Sequence, residues 1–414
     1  MSGGAILYGL YASLGSVLYI LAWPVFAVLG FMSGDRGRGW RERLGRLPVS
    51  FPRGRVWIHA ASVGEVTALE PFIRELRRLV PKTSLALSVM TPAGRKRARE
   101  LYDLPVAFAP LDVPGPARRW VSRASPRALI VMETELWPVW LSAVADSGAK
   151  LTWINGRLSD HSFPRYRIIR PLMARIFSRF GILGVITPLD AARAATLGAP
   201  RRRIRVCGNL KVDRMAPAAP PGGVSRGAWI VAGSTRTGED SALLDAFRAI
   251  RRRVPEANLC LAPRHPGRVF AVLRLARARG FSVARRSGGY LGEDVLVLDT
   301  MGELARFYRL ARVAFVGGTL VPVGGHNLME PALAGVPVVF GPHTANVRDA
   351  AIGLRRTGGG FQVSSPAALA GRIAGLLASP ASAHRAGIKA RAYVMGLKGV
   401  SHRVARMVMK EGLK

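Results

Sequence analysis

The chain has 414 residues, 49% of them hydrophobic, and carries a formal net charge of +36. That length exceeds what one ordinary core serves, so two domains are expected, with apolar side chains enough to fill both. Its two cysteines, Cys207 and Cys260, lie too far apart for a disulfide framework or a zinc pattern and suit a reducing compartment.

The positive excess is shared by the two halves of the chain and is not confined to a tail. Charge of that size attracts polyanions, either nucleic acid or an anionic membrane surface with its phosphorylated lipids.

Residues 1–34 form the first predicted segment, a membrane anchor. Within it, 5–31 is apolar apart from small Gly and Ser positions and is long enough to cross a bilayer core. Basic residues follow the run (Arg36, Arg38, Arg41, Arg43, Arg46), which places the rest of the chain on the cytoplasmic side. Pro24 leaves open whether the segment spans the bilayer or lies partly in its interface.

From Arg55 the chain alternates between β-rich runs (56–60, 85–90, 128–132, 151–155, 182–187, 204–207) and helical segments, one of them predicted over 66–80. After a Pro- and Gly-rich linker at 214–224 the alternation resumes at 229–233, 258–263, 295–299, 313–316 and 337–340. The pattern predicts an α/β chain with two Rossmann-like domains, 35–213 and 225–382, facing a cleft. A helical tail, 383–414, is expected to pack back toward the first domain.

Candidate chemistry lies where strands end, because open α/β sheets bind ligands at the carboxyl ends of their strands. The most prominent stretch is V-G-G-T-L-V-P-V-G-G-H-N-L-M-E-P at 316–331, a strand, a glycine loop and a helix. That arrangement can aim backbone N–H groups at an anion, with Glu330 placed to accept from a ribose hydroxyl, or it can simply turn the chain. Glu65, at a helix start after the first strand, is either a general base or a capping-box glutamate with Ser62. Glu133 and Glu135 after the 128–132 run must meet cations, substrate or a structural partner. No Asp-x-Asp and no joining histidines accompany that pair, so no metal is expected. Lys211 stands near the linker, and Arg264 and His265 follow another strand end and suit a phosphate or carboxylate. The small-residue loops 233–240 and 299–304 complete the set.

Together the motifs H-A-A-S-V-G-E (59–65), M-T-P-A-G (90–94), M-E-T-E-L-W-P (132–138), N-G-R-L-S (155–159), G-N-L-K-V-D (208–213), P-R-H-P (263–266), D-T-M-G-E-L (299–304) and the 316–331 stretch resemble the 3-deoxy-D-manno-octulosonic acid (Kdo) transferases. The resemblance implies a glycosyltransferase fold of the B type and an inverting transfer of Kdo from CMP-Kdo, without metal or cofactor. The implied acceptor is the tetraacylated disaccharide bisphosphate precursor of lipid A, at the cytoplasmic face of a bacterial inner membrane. By motif, Glu65 would be the base, and Glu133 and Lys211 would stabilise the transition state. Arg264, His265, Met301, Gly302, Glu303, Asn327, Leu328, Met329 and Glu330 would bind CMP. One loop departs from the family pattern, with Arg236 and Asp240 standing where His and Glu are usual. Two other readings stay open: a B-type transferase using a UDP-sugar, and, from charge alone, a membrane-tethered nucleic-acid binder. No nucleic-acid partner is expected, since the chain has no recognisable helix-turn-helix, RNA-recognition or zinc module.

Overall fold

The computed structural model describes residues 3–31, 34–49, 51–224 and 227–413. Two compact units divide it: unit 1 comprises Met1–Arg214 with Gly399–Lys414, and unit 2 comprises Met215–Lys398. The domain start expected at 225 falls outside the described residues.

Unit 1 holds seven strands: β1 (Val56–His59), β2 (Leu85–Val89), β3 (Val106–Phe108), β4 (Ala128–Met132), β5 (Lys150–Gly156), β6 (Phe180–Val185) and β7 (Ile204–Val206). They form one parallel sheet in the order β3-β2-β1-β4-β5-β6-β7. β1, β2 and β4 are buried along their whole length, as parallel strands covered on both faces must be. Successive side chains enter opposite layers. Trp57 joins Trp120 and Trp140 in one core, whereas Val56 and Ile58 join Val66 and Phe72 in the other.

Unit 2 repeats the plan with β8 (Ala228–Thr235), β9 (Ala257–Pro263), β10 (Val283–Arg285), β11 (Val295–Val297), β12 (Ala311–Val316), β13 (Val338–Phe340) and β14 (Gly360–Gln362). Its parallel order is β10-β11-β9-β8-β12-β13-β14. Connections part to opposite sides between β1 and β4 in unit 1 and between β8 and β12 in unit 2, where β11 is also laid back between β9 and β10.

Three elements differ from the sequence expectation, each for a physical reason. The helix predicted over 66–80 is two, Val63–Ala68 and Glu70–Leu79, because Pro71 has no N–H to continue the first. Pro24 has the same effect on the N-terminal apolar run, which divides into Gly3–Leu21 and Trp23–Phe31. The tail also divides differently. The helix Pro380–Gly396 stays with unit 2, and only the chain from Gly399 joins unit 1. There Val400, Val404, Val408 and Leu413 enter the core beside Ile58 and Phe72, and Asp213 accepts from the backbone N–H groups of Gly399 (2.7 Å) and Ser401 (2.5 Å).

Within unit 2 one buried carboxylate ties two strand ends together. Glu239, 1% exposed, accepts from the backbone N–H groups of Arg236 (2.8 Å), Gly318 (2.7 Å), Thr319 (3.0 Å) and Leu320 (2.9 Å). Removing it would leave several buried amides without an acceptor, a loss that outweighs any single surface contact. Glu239→Ala is therefore expected to lower stability by about 3 kcal/mol or more. The readout is a lower denaturant midpoint for unit 2; an unchanged midpoint would show that the amides have other partners.

Candidate functional site

In unit 1 the expected catalytic residues converge at the carboxyl ends of β1, β4 and β5. Ser62 caps the helix Val63–Ala68, accepting from Glu65 N–H, and the Glu65 carboxylate folds back in return. Its Oε2 accepts from Ala61 N–H at 2.9 Å and its Oε1 from Ser62 Oγ at 2.9 Å. Ser62 thus caps the helix, but the reciprocal half of a capping box is replaced: the carboxylate takes Ala61 N–H and Ser62 Oγ, and these fix it at the switch point of the sheet. Glu65 is 8% exposed. Burial raises its pKa above the ordinary glutamate value; the Ala61 and Ser62 hydrogen bonds oppose this, and the Glu133 and Glu135 charges add to it.

Glu133 follows β4 in a left-handed conformation, φ +55°, unusual for a residue with a Cβ. Its backbone carbonyl accepts from Trp153 Nε1, and its Oε1 lies 2.6 Å from Lys211 Nζ and 3.5 Å from Asn155 Nδ2. Asn155, at the end of β5, is itself left-handed (φ +51°) and accepts from Leu210 N–H at 2.9 Å. Asn155 therefore links the Glu133 loop to the segment that carries Lys211. Ser234, at the end of β8, is left-handed too, φ +58°. Three of the four described non-glycine residues at positive φ thus stand at strand ends, where backbone strain often marks function.

Glu135 has a different set of partners. Trp137 Nε1 donates to its Oε2 at 2.8 Å, and buried His59 places Nε2 3.7 Å away, too far for a hydrogen bond. Burial alone would raise the Glu135 carboxyl, but His59 and Trp137 outweigh it and its pKa is lowered. His59 donates to or accepts from Ser88 Oγ through Nδ1 at 3.0 Å and meets Trp140 edge-on.

In unit 2 a pocket of about 240 Å³ opens at the ends of β8, β9 and β11. Four of the expected nucleotide-binding residues line it: Arg264, Met301, Gly302 and Glu330. Burial raises the Glu330 pKa, opposed by Asn327, whose Nδ2 donates to Oε1 at 3.0 Å. Asn327 is thus a positioning group, and its Oδ1 also accepts from Met329 N–H. Leu328 is fully buried in the core, so only its backbone could serve a ligand. The Glu303 carboxylate is engaged by Thr300 and Arg286, which lower its pKa.

The glycine loop differs from the expectation that its N–H groups await a phosphate. Those of Gly318, Thr319 and Leu320 already bind the Glu239 carboxylate. Gly317 is required for that packing, since a Cβ there would lie 2.5 Å from Ser234 O and 2.8 Å from Glu239 Oε2. The loop does hold an anion, but the anion is the protein's own.

Cationic and imidazole groups gather beside the loop. Arg236 donates through Nε to His326 Nε2 at 3.1 Å and through Nη1 to His265 Nε2 at 2.7 Å. Since a guanidinium can only donate, both Nε2 atoms accept. Burial lowers the His326 pKa, and Arg236, Arg264 and His265 lower it further. Arg236 thus places a permanent charge against the Nε2 acceptors of two imidazoles. Asp240 is buried, accepts from Thr235 Oγ1 at 2.6 Å and pairs with Arg268. Sequence reasoning quoted the segments containing Asn155, Arg236 and Glu239 but gave none of the three a structural task. The signal available was their position at or shortly beyond the carboxyl end of a strand. Among the described residues no cluster of three metal-ligating side chains occurs.

Residues 38–214 match the family model described as 3-Deoxy-D-manno-octulosonic-acid transferase (kdotransferase). The 3-deoxy-D-manno-octulosonic acid transferase of Haemophilus influenzae is 33% identical over 411 residues, covering 94% of this chain and 96% of that one. That of Aquifex aeolicus is 32% identical over 328 residues, covering 78% and 86%. Among solved structures, a putative UDP-N-acetylglucosamine 2-epimerase from Listeria monocytogenes aligns with a TM-score of 0.60 at 17% identity, over 87% of this chain and 97% of that one. The glycotransferase of kitacinnamycin aligns at 0.51 and 15%, over 87% and 99%. The structural likeness is one of fold, the glycosyltransferase B type. Relatives of this similarity over nearly the full length make the chain a member of the 3-deoxy-D-manno-octulosonic acid transferases, a family of glycosyltransferases.

Proposed function

We propose that the chain transfers Kdo from CMP-Kdo to the phosphorylated lipid A precursor, with inversion and without a metal, at the cytoplasmic face of the inner membrane. The observation that carries this reading is the buried Glu65 carboxyl, raised in pKa and held beside Glu133, whose own charge is met by Lys211. A direct inverting transfer needs one base to take the proton of the acceptor hydroxyl. A raised pKa makes a carboxylate a better base. Glu65 fills that role, with its backbone and Ser62 hydrogen bonds keeping the carboxylate oriented.

The sugar's anomeric carbon gains positive character as the bond to phosphate breaks, and it also bears a carboxylate. Glu133 suits the first charge and Lys211 the second, so the 2.6 Å pair is a resting arrangement that the substrate would loosen. The departing CMP carries a phosphate monoester, and Arg236, Arg264 and His265 supply the compensating charge and donors in unit 2. Glu330, lining the pocket and steadied by Asn327, suits a ribose hydroxyl. The apolar N-terminal helix and the charge of +36 suit an acceptor that is both lipid and bisphosphate.

Four outcomes test the reading. Glu65→Gln should lower turnover by about 10²–10⁴-fold with CMP binding intact. The acid limb of the wild-type kcat/KM profile should lie above the usual glutamate pKa, because activity is lost as pH falls through the raised value; near-normal turnover of the variant would remove Glu65 from the role. By calorimetry the full chain should bind CMP in preference to UDP, with Arg264→Ala weakening CMP binding by about tenfold. A clear UDP preference would overturn the donor assignment.

A further inference from the structure

We propose that the N-terminal helices Gly3–Leu21 and Trp23–Phe31 lie flat in the interface of an anionic bilayer, docked along their length on unit 1, and do not cross the membrane. The inference rests on the membrane association proposed above and adds its geometry.

Length and composition alone would allow a crossing. Gly3–Leu21 has 19 residues, and about 28 Å of helix nearly matches a hydrocarbon core. The contacts argue otherwise. Gly4 lies so close to the helix Arg170–Arg179 that a Cβ would stand 2.5 Å from Pro171 O. The Arg175 guanidinium stacks on Tyr8, 4.7 Å from the ring centre. Tyr11 donates its hydroxyl to Asp112 Oδ2 at 2.9 Å, and Gly15 abuts Val113. Arg119 Nη2 donates to Tyr19 Oη at 3.3 Å. Past the break at Pro24, Phe26 packs on Trp40 with ring centres 5.5 Å apart. Positions 4, 8, 11, 15, 19 and 26 recur at helical intervals, so one side of the pair is applied to unit 1 from end to end.

That docking is incompatible with a span. A crossing helix would carry Asp112, Arg119 and Arg175, with the backbone around them, to hydrocarbon depth, where ionised groups and loop backbone are strongly disfavoured. A helix lying in the headgroup plane leaves all three at the wet side.

The opposite side faces outward and is apolar. Ile6, Leu10, Leu14, Val17, Leu21 and Val28 are exposed and follow the same helical intervals. No charged residue occurs in 1–34 to interrupt them. Arginines border the strip at both ends. Near Gly4, the helix Phe163–Ile168 buries none of its residues, exposes 82% of Ile168 and carries exposed Arg165 and Arg167. Near Tyr19, the helix Pro114–Ala124 exposes Arg118 and Arg119. An apolar strip flanked by guanidiniums matches the boundary between acyl chains and phosphate headgroups. The strip carries no charge and only the Ser13 hydroxyl among its exposed polar groups, little to orient a protein partner, which favours a lipid surface.

The geometry places the N-terminus and the body of the chain on the same side of the membrane. The test uses the full-length chain with an N-terminal peptide tag in sealed inverted inner-membrane vesicles. Protease added outside should remove the tag as readily as it reaches the body. A tag protected there and cleaved only in right-side-out vesicles would establish a span, overturning the inference while leaving membrane association standing. A chain that does not sediment with the vesicles would overturn the membrane reading and the inference with it. In flotation with purified phosphatidylglycerol–phosphatidylethanolamine vesicles, the double substitution Leu10→Asp, Leu14→Asp should reduce binding about tenfold or more. Turnover of detergent-dispersed acceptor should be unchanged, since both side chains face away from unit 1. Unaltered binding of the double variant would also refute the proposed strip.

Discussion

The arrangement on which the rest depends is a pair of carboxylates brought together at the winding reversal of one parallel sheet. Glu65 leaves the end of β1 and Glu133 the end of β4, adjacent strands whose connections run to opposite sides. Two anions in a partly dry site repel, so each needs its own compensation. Glu133 receives Lys211 and Asn155, whereas Glu65 receives only neutral donors, Ala61 N–H and Ser62 Oγ. The asymmetry leaves the Glu65 carboxyl raised in pKa with no cation of its own, which is what the proposed base role calls for.

Under the proposed function, unit 2 meets the converse problem of fixing loops around an anionic ligand. Its glycine turn is braced internally by Glu239, and the cations next to it are free to face outward. Arg236 spans two histidines and donates to both Nε2 atoms. The pocket beside this cluster has Glu330 on one wall and Arg264 on another, a donor-and-acceptor pairing suited to a nucleotide's sugar and phosphate.

Much of this was legible in the amino-acid order. Buried parallel strands read as continuous apolar runs, so every strand in the middle of both sheets was visible. β3, β10 and β14 were missed: each is a three-residue edge strand, a run too short to stand out, although β7, equally short and at an edge, was read. The positions of Glu65, Glu133 and Lys211 followed from motifs at strand ends, but their mutual pairing did not, since it depends on Asn155 and the left-handed turn at Glu133. The glycine loop showed the limit most plainly. Its composition announces an anion, and nothing in the local run says that the anion comes from Glu239, about eighty residues earlier. The anchor's docked face was hidden for a similar reason, because Asp112, Arg119 and Arg175 lie far along the chain from Tyr11, Tyr19 and Tyr8.

The central claim is that burial and a neighbouring anion make Glu65 basic. The most direct measurement is a titration of its carboxyl by infrared difference spectroscopy, with the band assigned by its loss in Glu65→Gln. The account predicts a pKa above that of a solvated glutamate, falling when Glu133→Gln removes the adjacent charge. An ordinary value in the wild-type chain, indifferent to Glu133, would contradict it.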